Sequence, residues 1–209
     1  MIFNRYPIIV FSTPRVGSTA VSQYIRSKCQ PNLPYFFEPD YLDKTLLEFQ
    51  EYFTNHKTFI LKLHYYALQK YPKNIVEYIC TSPDAFRIRL RRRNFVNQIA
   101  SLYTAHTRNL PLPRENKKWH FVKGIDNVET TTNETIEIKD QRIKDIISFL
   151  NKVNSEINDS QINFDLDLYY EDICNEITNT TVFVAPKPKN YAELIETINH
   201  HLNSFDIQS

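Results

Sequence analysis

Pro7-Ile8-Ile9-Val10-Phe11-Ser12-Thr13-Pro14-Arg15-Val16-Gly17-Ser18-Thr19 decides the fold class. Pro7 to Ser12 is a short apolar run rich in β-branched residues and bounded by turn formers, which reads as a buried strand. Gly17 to Lys28 has helical spacing, with Val21, Tyr24 and Ile25 on one face. Working outward, Asp43 to Thr54 carries Phe49 and Phe53 near helical spacing, and Thr58 to His64 alternates as a second strand. Pro31, Pro34 and Pro39 mark the stretch between as irregular, and Asn74 to Cys80 fits helix or strand. Phe86 to Leu90 reads as a strand with charged alternates, followed by a strongly periodic helix from Asn94 to His106. Residues 108–135, rich in Pro, Asn and Thr, read as a long functional loop. Lys139 to Ile157 is amphipathic, Ile162 to Tyr170 a strand and Tyr191 to Leu202 a closing helix. Strands alternating with helices predict a mostly parallel sheet covered on both faces, an α/β domain spanning residues 1–209. Ligands in such sheets sit beyond the carboxyl ends of the strands, so the chemistry belongs after Ser12, His64 and Leu90.

Composition narrows the function. The 209 residues carry 25 Lys+Arg against 24 Asp+Glu, a formal charge of +1 that excludes a generally basic nucleic-acid coat protein and makes any anion site local. Thirteen Tyr and 14 Phe supply apolar surface that offsets chain entropy and argues against disorder. Cys29, Cys80 and Cys174 form neither a metal pattern nor a disulfide framework, so reduced thiols in a cytoplasmic setting are the simplest reading. No apolar run approaches the ~20 residues of a membrane span, and the short stretch at Pro7 does not read as a signal peptide. A soluble intracellular protein is the expectation.

Ser12 to Thr19 lies between strand and helix, where backbone amides and the helix dipole favour an anion. Gly17 lets the main chain approach a phosphate, Ser18 and Thr19 offer hydroxyls, and Arg15 offers a charge-assisted fork. Ser12 stands where the NTPase loop needs its first Gly, and Ser18 where it needs Lys, so that signature fails. The bland alternative is a capped helix start with a surface arginine. The second strand end reads Arg91-Arg92-Arg93 before its helix. Adjacent arginines point in different directions, so one facing the cleft and the others solvated is the expected division. Ser101 lies two helical turns beyond Arg93, on roughly the same side.

Together these pieces resemble the PAPS-dependent sulfotransferases. Pro14-Arg15-Val16-Gly17-Ser18-Thr19 is similar to that family's 5′-phosphosulfate loop. Arg92-Arg93-Asn94-Phe95-Val96-Asn97-Gln98-Ile99-Ala100-Ser101-Leu102 is similar to its 3′-phosphate motif, closest in form to the bacterial carbohydrate enzymes of trehalose and Nod-factor type. Tyr170-Glu171-Asp172-Ile173 resembles the family's Y-E-D-L, a structural element. The resemblance runs in order over about residues 7 to 175. It implies a P-loop-NTPase-like three-layer αβα fold, PAPS as co-substrate and PAP as product, and no metal. It also implies that Arg15, Val16, Gly17, Ser18 and Thr19 hold the 5′ side while Arg93 and Ser101 hold the 3′-phosphate. Arg15 then supplies positive charge at the leaving oxygen. Arginine does not donate its proton near neutral pH, so its help is electrostatic.

An acceptor hydroxyl needs a base. Glu38, in Pro34-Tyr35-Phe36-Phe37-Glu38-Pro39, is flanked by aromatics that raise a carboxyl pKa, and F-E-P resembles the carbohydrate branch, where a Glu is the base. His64 ends the second strand at the cleft with a suitable unperturbed pKa. Both stand as candidates against two plain readings, a loop carboxylate paired with Arg and a satisfied strand-end histidine. Lys62 alternates with Leu61 and Leu63, faces either way, and is a weaker nucleotide-side candidate. His106, Arg108, Trp119 and His120 follow the nucleotide helix, and Trp119 suits either a sugar face or the core. The expected partner is a carbohydrate or other small-molecule acceptor, with no nucleic acid or membrane insertion. A homodimer is compatible, though no interface is marked. The competing functions are a P-loop kinase or nucleotide hydrolase, which would need Mg²⁺ and ATP, and a polyanion-binding module with steep salt dependence.

Overall fold

The computed structural model describes residues 5–29, 33–37, 43–107, 121–122, 133–177, 183–184 and 187–206. In chain order its elements are β1 (Ile8–Ser12), α1 (Ser18–Ser27), β2 (Tyr35–Phe37), α2 (Asp43–Asn55), β3 (Ile60–His64), a 3₁₀ segment (Tyr65–Lys70) and α3 (Lys73–Thr81). They continue with β4 (Phe86–Arg91), α4 (Phe95–Thr107), β5 (Phe121–Val122), α5 (Asp140–Asp159), β6 (Leu166–Tyr169), α6 (Tyr170–Ile177), β7 (Phe183–Val184) and α7 (Tyr191–Asp206). Five strands form one sheet in the order β2-β3-β1-β4-β6, and every pairing within it is parallel. The expected three-layer α/β architecture is present. β5 and β7 make a separate antiparallel pair.

Every residue of β1 and of β3 is buried, because helices cover both sides of the sheet. That explains the unbroken apolar run of Ile8–Phe11, where a one-sided sheet would force alternation. Parity then assigns the faces. Ile8, Val10, Ile60, Ile88 and Leu90 pack with Val21, Tyr24 and Ile25 of α1 and Ile173 and Ile177 of α6. Ile9, Phe11, Leu61 and Leu63 pack with Phe49 and Phe53 of α2 and Ile75 and Ile79 of α3. Each such Ile, Leu or Phe contributes about 1.5–3 kcal/mol by burial. A third cluster joins Ile99 and Tyr103 of α4, Ile143, Ile147 and Leu150 of α5, and Leu194 and Ile198 of α7.

Two expectations need correction. The proline-marked stretch contains a strand, β2, whose Phe37 pairs with Lys62; a three-residue edge strand is too short for periodicity to reveal. The strand expected from Ile162 to Tyr170 is only Leu166–Tyr169, and Tyr170 begins a helix. Asn74 to Cys80, ambiguous by pattern, is helix α3. Among the described residues, no helix is long and apolar enough to cross a membrane.

Candidate functional site

Parallel register brings the strand ends together: Ser12 pairs with His64 on one side and Leu90 on the other. The loop after β1 and the turn after β4 therefore share one edge of the sheet. Arg15 adopts φ 64°, the left-handed region, and Gly17 adopts φ 80°. A left-handed arginine costs on the order of 1–3 kcal/mol unless its surroundings hold it. Here five contacts do. Gln98 on α4 donates to the Thr13 hydroxyl at 2.9 Å and to the Pro14 carbonyl at 2.7 Å. Arg92 Nη1 donates to the Arg15 carbonyl at 2.9 Å. Arg15 Nε donates to Ser101 Oγ at 2.9 Å. Finally, Gly17 abuts the Tyr170 ring, so closely that a Cβ on residue 17 would lie 2.4 Å from Cδ2. Val16 is buried in the core beside it.

Gly17 is the N-cap of α1 and makes no side-chain cap, so the amides of the first turn are available to an acceptor at the loop. Ser18 begins that turn and is buried, with Thr19 next to it. Positive charge converges on the same place. Arg15 is lowered to about 10 by desolvation and by neighbouring Arg92, so it stays a cation at neutral pH. Lys62 is 2% exposed and shares the α1 face with Val10 and Ile60. Burial, then the Arg15 charge, holds its pKa well below the ordinary lysine value. Cations pressed together in a desolvated site raise each other's cost, and an arriving anion relieves that repulsion.

His64 is buried at the end of β3, its Nδ1 3.2 Å from Ser12 Oγ, with Tyr66 stacked on it at 5.6 Å. His106 lies farther along α4, where desolvation, then Arg142 and Arg15, lowers its pKa. Glu38, Arg108, Trp119 and His120 lie outside the described residues.

One arginine of the run turns toward the loop and two turn away, but the inward one is Arg92 rather than Arg93, and the outward two are paired with polar groups. Arg91 bonds Asn158 at 3.1 Å and lies 3.4 Å from Asp167. Arg92 turns toward the loop and lies over the Tyr170 ring at 5.6 Å. Arg93 forks onto Asp172 and covers the Tyr169 ring at 4.2 Å. Tyr-Glu-Asp thus clamps the turn after β4: Glu171 also accepts the amides of Arg93 and Asn94, each at 3.1 Å. Ser101 meets the loop through Arg15, and Tyr191, at the start of α7, donates to Asn97 one turn earlier on α4 at 3.1 Å.

The motifs contained Gln98 and Tyr170, but sequence reasoning gave neither a contact with the loop after β1. Gln98 was legible as a polar residue three before Ser101, one turn away on the same helix face. Tyr170 was marked only as part of a structural element, and its contact with Gly17 had no signal, since that partner is a glycine far away in the chain. Neither a protein-family model nor a curated protein matches the chain.

Proposed function

We propose that the chain is a PAPS-dependent sulfotransferase that moves a sulfuryl group to a hydroxyl of a carbohydrate or glycolipid. The observation carrying this reading is the Arg15–Ser101 hydrogen bond, which joins the two motifs that resemble the family's 5′ and 3′ sites. In this reading the amides at the start of α1, with Gly17, Ser18 and Thr19, cradle the 5′ phosphate. Arg93 and Ser101 serve the 3′ phosphate. The acceptor oxygen attacks sulfur as the sulfur–oxygen bond to the nucleotide phosphate breaks, and PAP departs with the electron pair. Arg15 and Lys62 stabilise the charge gathering on that leaving oxygen. The acceptor proton passes to Glu38 or His64. Three free cysteines agree with a cytoplasmic setting.

Isothermal titration with PAP, in EDTA at modest salt, tests the proposal. Micromolar binding with no response to ATP is the expected result. Failure to bind PAP, or tighter binding of Mg²⁺–ATP, overturns it and favours a P-loop kinase or hydrolase.

A further inference from the structure

Arg92 carries more of the site than its place in a run of three suggests. Its Nη1 satisfies the carbonyl of Arg15, the one described non-glycine residue with positive φ. Its guanidinium lies over Tyr170, the ring that also closes on Gly17. Its Nε is buried and makes no hydrogen bond, the Glu171 carboxylate standing 3.9 Å away. Its neighbours Arg91 and Arg93 fork instead onto groups of α5, β6 and α6: Asn158, Asp167 and Asp172. A guanidinium held over an aromatic ring and tied to one carbonyl has little freedom to turn away, so its charge stays at the loop.

We infer that Arg92 is a positioning residue of the anion site, fixing the left-handed turn at Arg15 and adding a second permanent positive charge for a phosphate ester. Resting on the sulfotransferase reading, this deepens it by naming the arginine of the run that acts on the loop. The charge and the carbonyl contact are separable by substitution. Arg92→Gln removes the charge but keeps an N–H donor for the Arg15 carbonyl, while Arg92→Lys keeps both charge and donor. Arg91→Gln removes the same charge from the same run at a side chain engaged elsewhere.

Affinities for PAP and for inorganic pyrophosphate are measured on the wild type and these three variants, with thermal unfolding as the check on folding. Arg92→Gln is expected to weaken both ligands by about 10- to 100-fold, the worth of one charge-assisted contact. Arg92→Lys recovers most of that loss, and Arg91→Gln stays within about threefold of wild type, because that charge is paired away from the loop. Equal losses for Arg92→Gln and Arg92→Lys would reduce Arg92 to a structural prop, and equal losses for Arg92→Gln and Arg91→Gln would reduce it to background charge. Either result overturns the inference. Wild-type binding of pyrophosphate but not PAP, with the Arg92 pattern intact, overturns the nucleotide reading alone and sustains the inference. Failure of wild type to bind either ligand overturns both.

Discussion

Residue 17 shows how one position serves two ends. Its φ of 80° is costly for any residue with a Cβ, and Tyr170 occupies the space that Cβ would need. Gly17→Ala is therefore expected to destabilise the fold by more than the ~1–2 kcal/mol of the left-handed conformation alone. Gly17→Ala introduced into a Tyr170→Ala background should cost only about that backbone amount, so the double-mutant cycle isolates the steric part. Equilibrium denaturation reads both, and a strictly additive cycle would show that the ring does not matter. The value of Gly17 to the main chain was legible from a glycine in a strand–turn–helix context. Its ring contact was not, because nothing in a linear sequence relates position 17 to position 170. The same holds for Arg92 and Arg93, whose order along the chain says nothing about which of them turns toward the loop. Glu38 is a reading from flanking aromatics and from the resemblance of F-E-P to the carbohydrate branch.

At the scale of elements, β4 shows why alternating arginines were hard to interpret. Ile88 and Leu90 face α1 and α6 as periodicity demands, and the intervening arginines look like solvated charge. Arg87 is instead buried, and it closes the end of α3: Nε donates to the Ile79 carbonyl at 2.8 Å and Nη2 to the Ser82 carbonyl at 2.5 Å. A helix end left without partners is expensive, and an arginine from the neighbouring strand supplies them. Arg89 pairs with Asp167 and Asn158, so β4 and β6 are joined by side chains as well as backbone. Arg87→Met is expected to lower unfolding free energy by about 1–3 kcal/mol, since the buried Ile79 and Ser82 carbonyls lose their Arg87 donors while Ser82 keeps the Ala85 amide. It should leave PAP affinity unaltered, because Arg87 sits at the other side of the sheet from the loop; a calorimetric titration beside a urea curve decides. β1 was legible from its β-branched run between turn formers, and β3 and β4 from their alternation. The use of the arginines was not, because charge alternation on a strand looks the same whether it meets water or a helix terminus.

For the whole molecule, the acidic partners of this arginine ladder are expected to contribute to the acid limit of stability. Asp167 is held below the ordinary aspartate value by the Arg89 hydrogen bond and charge, and Asp172 by Arg93. Burial pushes Asp165 and Glu171 upward, but the Arg87 amide and Arg5 outweigh it for Asp165, and the amides of Arg93 and Asn94 outweigh it for Glu171. All four have folded values below their unfolded ones, so the folded state binds fewer protons than the unfolded state between those values. Stability from these groups is then complete above the unfolded pKa of about 4 and is lost as pH falls through the lower folded values. The resulting steep acid limb belongs to the β4–β6–α6 side of the sheet, since three of the four carboxylates face arginines of residues 89–93 and Asp165 accepts the amide of Arg87. The Asp165→Asn, Asp167→Asn double variant should be less stable near neutrality yet lose less of what remains on acidification. Urea midpoints followed from neutral pH to below about pH 4 measure both effects. A double variant whose midpoint falls as steeply as the wild type would move the acid limit elsewhere in the chain, away from the pairs that align β6 with the strand leading into the site.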